Sequence, residues 1–182
     1  MNFNDAQADM NFSYYGGCTG VMISGFVWCI AGTVGLLYSN QVSMLTLFFG
    51  GMVIFPLSVL LAKRLKRSGK HSAENPLGKL ALESTIILFV GLFIAFYVAK
   101  LQVEWFYPIM LMTIGVRYLT FNTLYGLKLY WVLGALLMFS GMFCLLLGVN
   151  FITGAFIGGI TEVLFSVVIF YESKTLTENN SA

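Results

Sequence analysis

Three ionisable residues inside apolar stretches are the chain's candidates for chemistry. Glu83, Arg117 and Glu162 are each flanked on both sides by mainly apolar residues. A charged side chain at the centre of a membrane helix costs about 2.5–3.5 kcal/mol, so such residues usually face the interior of a helix bundle and take part in function. A carboxyl inside a membrane can carry a proton. We therefore predict that these three residues form a polar centre.

The elements that must position this centre are membrane helices. Apolar residues make up 58% of the chain and charged residues 10%, whereas a soluble domain carries about 25% charged residues. A helix that crosses the hydrocarbon core needs about 20 mostly apolar residues. We predict an all-α polytopic membrane helix bundle, a single membrane domain over residues 1–182, with a disordered polar tail at 173–182. The six predicted transmembrane helices lie at about 16–38, 42–62, 79–100, 105–125, 129–149 and 151–171.

The distribution of Lys and Arg predicts the orientation. If the N-terminus is cytoplasmic, the inner segments hold eight of these residues and the outer loops hold only Lys100. Cytoplasmic segments carry the excess of positive charge in membrane proteins, so we expect both termini inside. The densest cluster of basic residues lies in the loop after the second span and consists of Lys63, Arg64, Lys66, Arg67 and Lys70. We interpret it as the signal that keeps this loop in the cytoplasm, and its alternative role is contact with anionic lipid headgroups.

Depth in the membrane predicts which charges meet. At the helical rise of 1.5 Å per residue, Arg117 and Glu162 each lie within about 3 Å of the midplane, and Glu83 lies about 9 Å from the middle of its span. Arg117 therefore pairs better with Glu162 than with Glu83. One arginine leaves one of the two carboxyls without a counter-charge, and we hypothesise that this carboxyl is protonated near neutral pH. The alternative, equally open at this point, is an ion pair that only fixes the register of the helices.

Small and polar residues recur beside these charges and predict which helix faces are buried. Close packing through small residues replaces the hydrophobic effect between helices in lipid. Glycines repeat every seven residues at Gly134, Gly141 and Gly148, and such faces could also hold a homo-oligomer together. The residues expected to support the polar centre are Thr113, Thr120, Gly154, Gly158 and Ser166.

Other kinds of site are not indicated. The chain has one histidine, His71, and three well-separated cysteines, whereas a zinc site needs several such ligands close together. We expect no metal, no cofactor and no catalytic residue. There is also no basic face of the kind that binds nucleic acid. Enzymatic activity is not expected, although a carboxylate-based enzyme that acts on lipid stays open through Glu83 and Glu162.

Several short motifs are distributed over most of the chain. They include Tyr15-Gly16-Gly17, Phe49-Gly50-Gly51-Met52, Phe55-Pro56-Leu57-Ser58, Gly69-Lys70-His71, Asn75-Pro76-Leu77, Arg117-Tyr118-Leu119, Thr123-Leu124-Tyr125-Gly126 and Tyr130-Trp131. Together they resemble a family of small bacterial multi-pass membrane proteins, a domain of unknown function. The resemblance implies a bacterial cytoplasmic membrane and one compact bundle. It implies no activity.

The function predicted from these features is transport. We expect a permease-like bundle that moves a small solute, with proton coupling through a carboxyl of the polar centre. One alternative is a non-catalytic partner or sensor module that uses its glycine faces, and a second is a membrane-embedded enzyme that acts on lipid. The predicted partners are the lipid bilayer, a small solute or proton, and further copies of the chain.

Overall fold

The computed structural model describes residues 1–179, which form seven α-helices and no strand. Each of the six predicted spans coincides with one of the helices α2 to α7, whereas the short helix α1 was not predicted. The helices are α1 (Phe3–Tyr14), α2 (Cys18–Leu37), α3 (Asn40–Arg64), α4 (Leu77–Val98), α5 (Phe106–Tyr125), α6 (Leu129–Leu147) and α7 (Phe151–Asn179).

The apolar helices make this an integral membrane protein, as predicted. Within the described residues, five helical stretches are long and apolar enough to cross a membrane: Phe3–Leu37, which holds α1 and α2, then α3, α4, α6, and α7 as far as Leu176. Helix α5 is not among them because Arg117 and several hydroxyl and amide side chains lower its hydropathy. It still lies along α6, with Gly115 packed on Gly134 and Pro108 on Gly141, so we infer that it crosses the membrane beside α6.

Glycines bring the helices into close contact in two pairs. A methyl group added at Gly25 of α2 would lie 2.8 Å from the backbone oxygen of Gly159 on α7, and one added at Gly134 of α6 would lie 2.7 Å from the backbone oxygen of Gly115. Backbones at this separation leave no room for side chains. The predicted glycine face at Gly134 and Gly141 is therefore used inside the monomer, and a homo-oligomer through exposed glycine faces stays a prediction.

The helices form an incomplete ring. Helix α3 packs on α2, α2 on α7, α7 on α6, α6 on α5 and α5 on α4, so that α3 and α4 are the two ends of the series. These two ends make little direct contact with each other. One of their contacts is between the rings of Phe48 and Phe96, whose centroids are 6.2 Å apart. The ring of helices is thus closed at Phe48 and Phe96, and a gap separates α3 from α4 along the rest of their length.

The C-terminal end of the chain differs from the prediction. Helix α7 continues to Asn179, past the predicted end of its span, and Ser173 is fully buried with its hydroxyl donating to Asn11 of α1 at 2.6 Å. The prediction of a disordered tail that begins at 173 is therefore wrong for Ser173, because α1 covers this part of α7. Residues 180–182 lie outside the described part of the chain.

Candidate functional site

A cavity of about 510 Å³ lies in the gap of the helix ring. Its walls come from α2, α3, α4 and α5, and its residues span Gly78 to Leu92 on α4 and Met110 to Tyr125 on α5. Several wall residues of α3 and α4 are themselves largely exposed on the outer surface of the bundle, among them Phe55 at 68% and Leu82 at 66%. The cavity therefore opens sideways, between α3 and α4, toward the lipid.

Polar groups occupy only one half of this cavity. We call the end of the bundle that holds α1 and the loop at 65–76 the basic-loop end, and the opposite end the far end. From the basic-loop end to Arg117 the wall contains several hydroxyl side chains and an imidazole: Tyr14, Thr19, Ser24, Ser58, His71, Ser84, Thr85, Tyr118 and Tyr125. From Arg117 to the far end the wall is apolar, with Trp28, Leu47, Phe48, Met52, Leu88, Leu92, Met110 and Ile114.

Arg117 lies at the boundary between these two halves. Its Nε is buried without a hydrogen-bond acceptor, and its guanidinium carbon lies 5.1 Å from the centre of the Phe121 ring. It makes no ion pair with any described residue, and no Asp or Glu is among the described residues that line the cavity. Glu162 attracts Arg117 electrostatically without forming an ion pair with it. The guanidinium can therefore still bind an anion, because Arg donates paired hydrogen bonds to carboxylate and phosphate groups.

Glu162 lies behind the cavity wall and is fully buried. Its Oε1 accepts a hydrogen bond of 2.7 Å from the hydroxyl of Tyr118, and its Oε2 has no hydrogen-bond partner. The predicted ion pair between Arg117 and Glu162 is therefore wrong, because Tyr118 contacts Glu162 instead. The prediction from depth that α5 and α7 are neighbours at this level is correct. Successive residues of a helix point about 100° apart, and it is Tyr118, not Arg117, that faces α7.

Glu83 is not part of this centre. It is exposed on α4, does not line the cavity, and makes no hydrogen bond or ion pair with the described residues. The structure thus separates the three predicted charges: Arg117 in the cavity wall, Glu162 behind that wall, and Glu83 on the outer surface.

The predicted supporting residues bind their own helices or pack between helices. The hydroxyls of Thr113, Thr120 and Ser166 donate to backbone carbonyls three or four residues earlier, at 2.7–2.9 Å. Gly154 packs on Tyr107, and Gly158 packs on Trp28 and Leu111. Their role is therefore packing. Of the predicted headgroup contacts, Lys63, Arg64, Lys66 and Lys70 are exposed, whereas Arg67 is half-buried between the rings of Phe12 and Tyr15, at 4.2 and 4.3 Å.

Helix α1 covers the cavity at the basic-loop end. The side-chain amide of Gln7 donates to the carbonyl of Thr123 at 2.8 Å, and that of Asn11 to the carbonyl of Tyr125 at 3.0 Å, so α1 caps the end of α5. The hydroxyl of Tyr14 is hydrogen-bonded to Nδ1 of His71 at 2.9 Å. These contacts leave the side between α3 and α4 as the wider entrance.

An aromatic cluster closes the far end. The ring of Phe96 lies between those of Phe48 and Phe106, and Tyr107 packs on Phe106 and Trp28. Ser43 binds this cluster to α2, because its hydroxyl is 2.6 Å from the hydroxyl of Tyr107 and donates to the carbonyl of Ala31 at 2.6 Å. The cavity therefore reaches from the basic-loop end partway through the bundle and ends at these rings.

The fold and site define a class: a helical membrane protein with a one-sided cavity, open toward lipid, that contains an unpaired arginine. The chain belongs to a family of unknown function (DUF7010), whose model matches residues 3–172. This confirms the predicted membership of an uncharacterised family. No curated protein and no solved structure matches the chain.

Sequence reasoning missed Tyr118 and Trp28 as members of the site. Tyr118 is buried near the middle of α5, far from the membrane interface where tyrosine is usually found. A tyrosine at that depth, next to an arginine, is the signal that could have found it. Trp28 carries no such signal, because a large apolar side chain in a span is ordinary packing.

Proposed function

We propose that the protein is a transporter for an anionic solute and that Arg117 is its binding group. The observation that carries this proposal is the unpaired guanidinium of Arg117 in a cavity whose described wall contains no carboxylate. Arg67 also has a buried Nε without an acceptor, but its guanidinium lies over the rings of Phe12 and Tyr15 and does not line the cavity. The position of Arg117 in the cavity wall therefore supports the binding role, since a bound anion would remove a cost of about 1–3 kcal/mol for a buried donor without an acceptor.

The two ends of the cavity support a transport cycle. The aromatic cluster at the far end prevents passage in this state, while the cavity extends toward the basic-loop end, where α1 covers it and the side between α3 and α4 stays open. Transport requires that the cavity close at one end and open at the other, while the binding site stays near the middle of the membrane. In this proposal the rings of Phe48 and Phe96 part, and α3 and α4 move relative to each other, to release the anion at the far end.

Glu162 is the proposed coupling group. A buried carboxylate with one hydrogen bond and no ion pair is costly, whereas the protonated form is neutral. Since Tyr118 lines the cavity and donates to Glu162, it connects this carboxyl to the bound anion. We propose that Glu162 takes up and releases a proton as the anion moves, so that transport depends on a pH gradient.

The test is the current from proteoliposomes on a solid-supported membrane, after a step in the concentration of a panel of organic anions, with and without a pH step. We expect a current from the native protein, loss of that current in Arg117→Gln, and loss of its pH dependence in Glu162→Gln. Glu83→Gln is the matched control, because Glu83 is a membrane carboxyl outside the cavity, and its current should equal the native one.

Two results contradict the proposal. One is a native current that persists unchanged in Arg117→Gln. The other is no current with any anion from native protein shown to be folded and monodisperse. If Glu162→Gln does not fold, Tyr118→Phe tests the same coupling, because it removes the link between the cavity and the carboxyl while it keeps the aromatic ring.

The other two predicted functions have less support. Of the glycines expected at a partner interface, Gly134 and Gly141 pack inside the monomer, whereas Gly148 is exposed and meets nothing within 4 Å. Glu83 follows Leu82 of the lateral opening, but it does not line the cavity, so its carboxyl is not placed against a lipid bound there. No observation favours either function over transport.

A further inference from the structure

We propose that the anion is an amphiphile with one hydrocarbon chain, and that it enters from the bilayer through the gap between α3 and α4. Release of the amphiphile at the far end rests on the proposed function, whereas its binding in the cavity is independent of transport. The shape and polarity of the cavity indicate this class of substrate.

The polarity of the wall matches such a molecule. All the described polar side chains of the wall lie between Arg117 and the basic-loop end, and the rest of the cavity, up to Trp28 and Leu92, is apolar. A fully hydrated small anion would leave that apolar half filled with water or empty. An amphiphile fills both halves, with its headgroup between Arg117 and His71 and its chain against Ile114, Met110 and Trp28.

The size of the cavity indicates a single chain. A volume of about 510 Å³ falls in the range of pockets for drug-sized molecules, about 300–1,000 Å³. Along α5 the wall runs from Met110 to Tyr125, which is about 22 Å at 1.5 Å per residue. The space is therefore long and narrow, which suits one extended chain better than the two chains of a phospholipid.

The lateral opening supplies the route. The rim of the cavity on α3 includes Met52 and Phe55, and on α4 it includes Leu82 and Phe89; all four are more than half exposed. Gly51 lies on the same rim, and a methyl group added there would meet no atom within 4 Å. An apolar chain can thus pass from the lipid into the cavity without leaving an apolar environment, so it avoids the free-energy cost of crossing water.

The charges near the entrance favour an anion. Lys63, Arg64, Lys66 and Lys70 are exposed beside the basic-loop end, and each basic residue near a membrane surface attracts anionic lipid by about 1 kcal/mol. A single-chain anionic lipid in that leaflet has its headgroup at the basic-loop end and its chain toward the middle of the bilayer. This is the same orientation as the two halves of the cavity, so the molecule enters without turning over.

Trp28 provides a direct readout of the bound chain. It is 1% exposed and lies at the apolar end of the cavity. The other two tryptophans, Trp105 and Trp131, are 39% and 54% exposed and can be replaced by phenylalanine, which leaves Trp28 as the only indole. Bromine atoms quench indole fluorescence on contact, so a brominated chain that occupies the cavity should quench Trp28.

The experiment titrates the Trp28-only protein, in nanodiscs of unbrominated phosphatidylcholine, with dibrominated decanoate, whose chain length matches the apolar half from Arg117 to Met110, about 10 Å at 1.5 Å per residue. The neutral probe is the matching dibrominated alcohol, and the two-chain probe is dibrominated phosphatidylcholine. We expect saturable quenching by the carboxylate alone, with affinity about tenfold or more lower in Arg117→Gln, as for the loss of a charge-assisted hydrogen bond. Gly51→Leu should slow or prevent quenching because it fills the entrance. Val53→Leu is its control on the same helix, since Val53 faces outward and does not line the cavity.

The outcomes separate this inference from the proposed function. Equal quenching by the alcohol, equal quenching by the two-chain lipid, or no saturable quenching would each overturn the inference. Saturable quenching by the carboxylate with no transport current supports the inference and contradicts transport. Currents from small soluble anions without quenching of Trp28 support transport and contradict the amphiphile.

Discussion

Replacing Arg117 with methionine is expected to stabilise the protein while it removes the binding group. The cost of an arginine at the centre of a membrane helix is about 2.5–3.5 kcal/mol. In this structure the contact with the Phe121 ring, at 5.1 Å, offsets about 0.5–2 kcal/mol of this cost, and Glu162 adds an electrostatic attraction from behind the cavity wall. No ion pair or acceptor for Nε adds to that contribution. The expected net gain in Arg117→Met is therefore about 0.5–3 kcal/mol.

The assay is reversible unfolding in mixed detergent micelles, which gives the free energy of unfolding of each variant. Arg67→Met is the matched control, because the Nε of Arg67 is also buried without an acceptor, whereas its guanidinium lies over two rings, those of Phe12 and Tyr15, at 4.2 and 4.3 Å. This control should be destabilised by about 1 kcal/mol or more. If Arg117→Met is destabilised as well, Arg117 is a structural residue and the argument for an unpaired binding cation fails.

Two further predictions concern the packing and the end of the bundle. Gly25→Ala places a methyl group 2.8 Å from the Gly159 backbone oxygen, whereas Gly51→Ala meets nothing within 4 Å; since both gain the same helix propensity, Gly25→Ala should be less stable by about 1–3 kcal/mol. Equal unfolding free energies would show that α2 and α7 are not closely packed. Asn11→Ala removes the hydrogen bonds of α1 to Tyr125 and Ser173, and amide exchange in α1 should become about 5–30 times faster, for a loss of about 1–2 kcal/mol. Unchanged exchange in α1 would mean that other contacts hold it in place.

The helices could be predicted because hydropathy and the residues that end a helix depend only on residues close together in the sequence. Each apolar run long enough to cross a bilayer became a helix, and the turns contain residues suited to them. Gly126 and Gly148 end α5 and α6 with φ of 70° and 59°, a conformation that glycine adopts without strain. Helix α1 was missed because it has little apolar surface, although the Asn2 side chain accepts from the backbone of Asp5 at 2.9 Å, a capping arrangement that the sequence alone suggests.

The lateral cavity could not be predicted, because it depends on which helices are neighbours. The sequence shows which residues are apolar but not that α3 and α4 stand at the two ends of an open series. Met52, Phe55 and Phe89 have the same apolar character as residues that face only lipid. Their role at an entrance follows only from the missing contact between the two helices.

The rotation of α5 explains how depth alone predicted the right helices and the wrong pair. Arg117 and Glu162 lie at similar depth, but depth does not specify the angle of a residue around the helix axis. A rotation of α5 by about 100° would point Arg117 in the direction that Tyr118 now has, toward α7, and an ion pair with Glu162 would then be within reach. Close contacts of Gly115 with Gly134 and Met138 on α6 fix that angle. The packing of α5 on α6 thus holds the arginine toward the cavity and the tyrosine toward Glu162. The glycine contact that brings the two backbones together therefore also prevents an ion pair between Arg117 and Glu162, and it leaves Arg117 available to an anion.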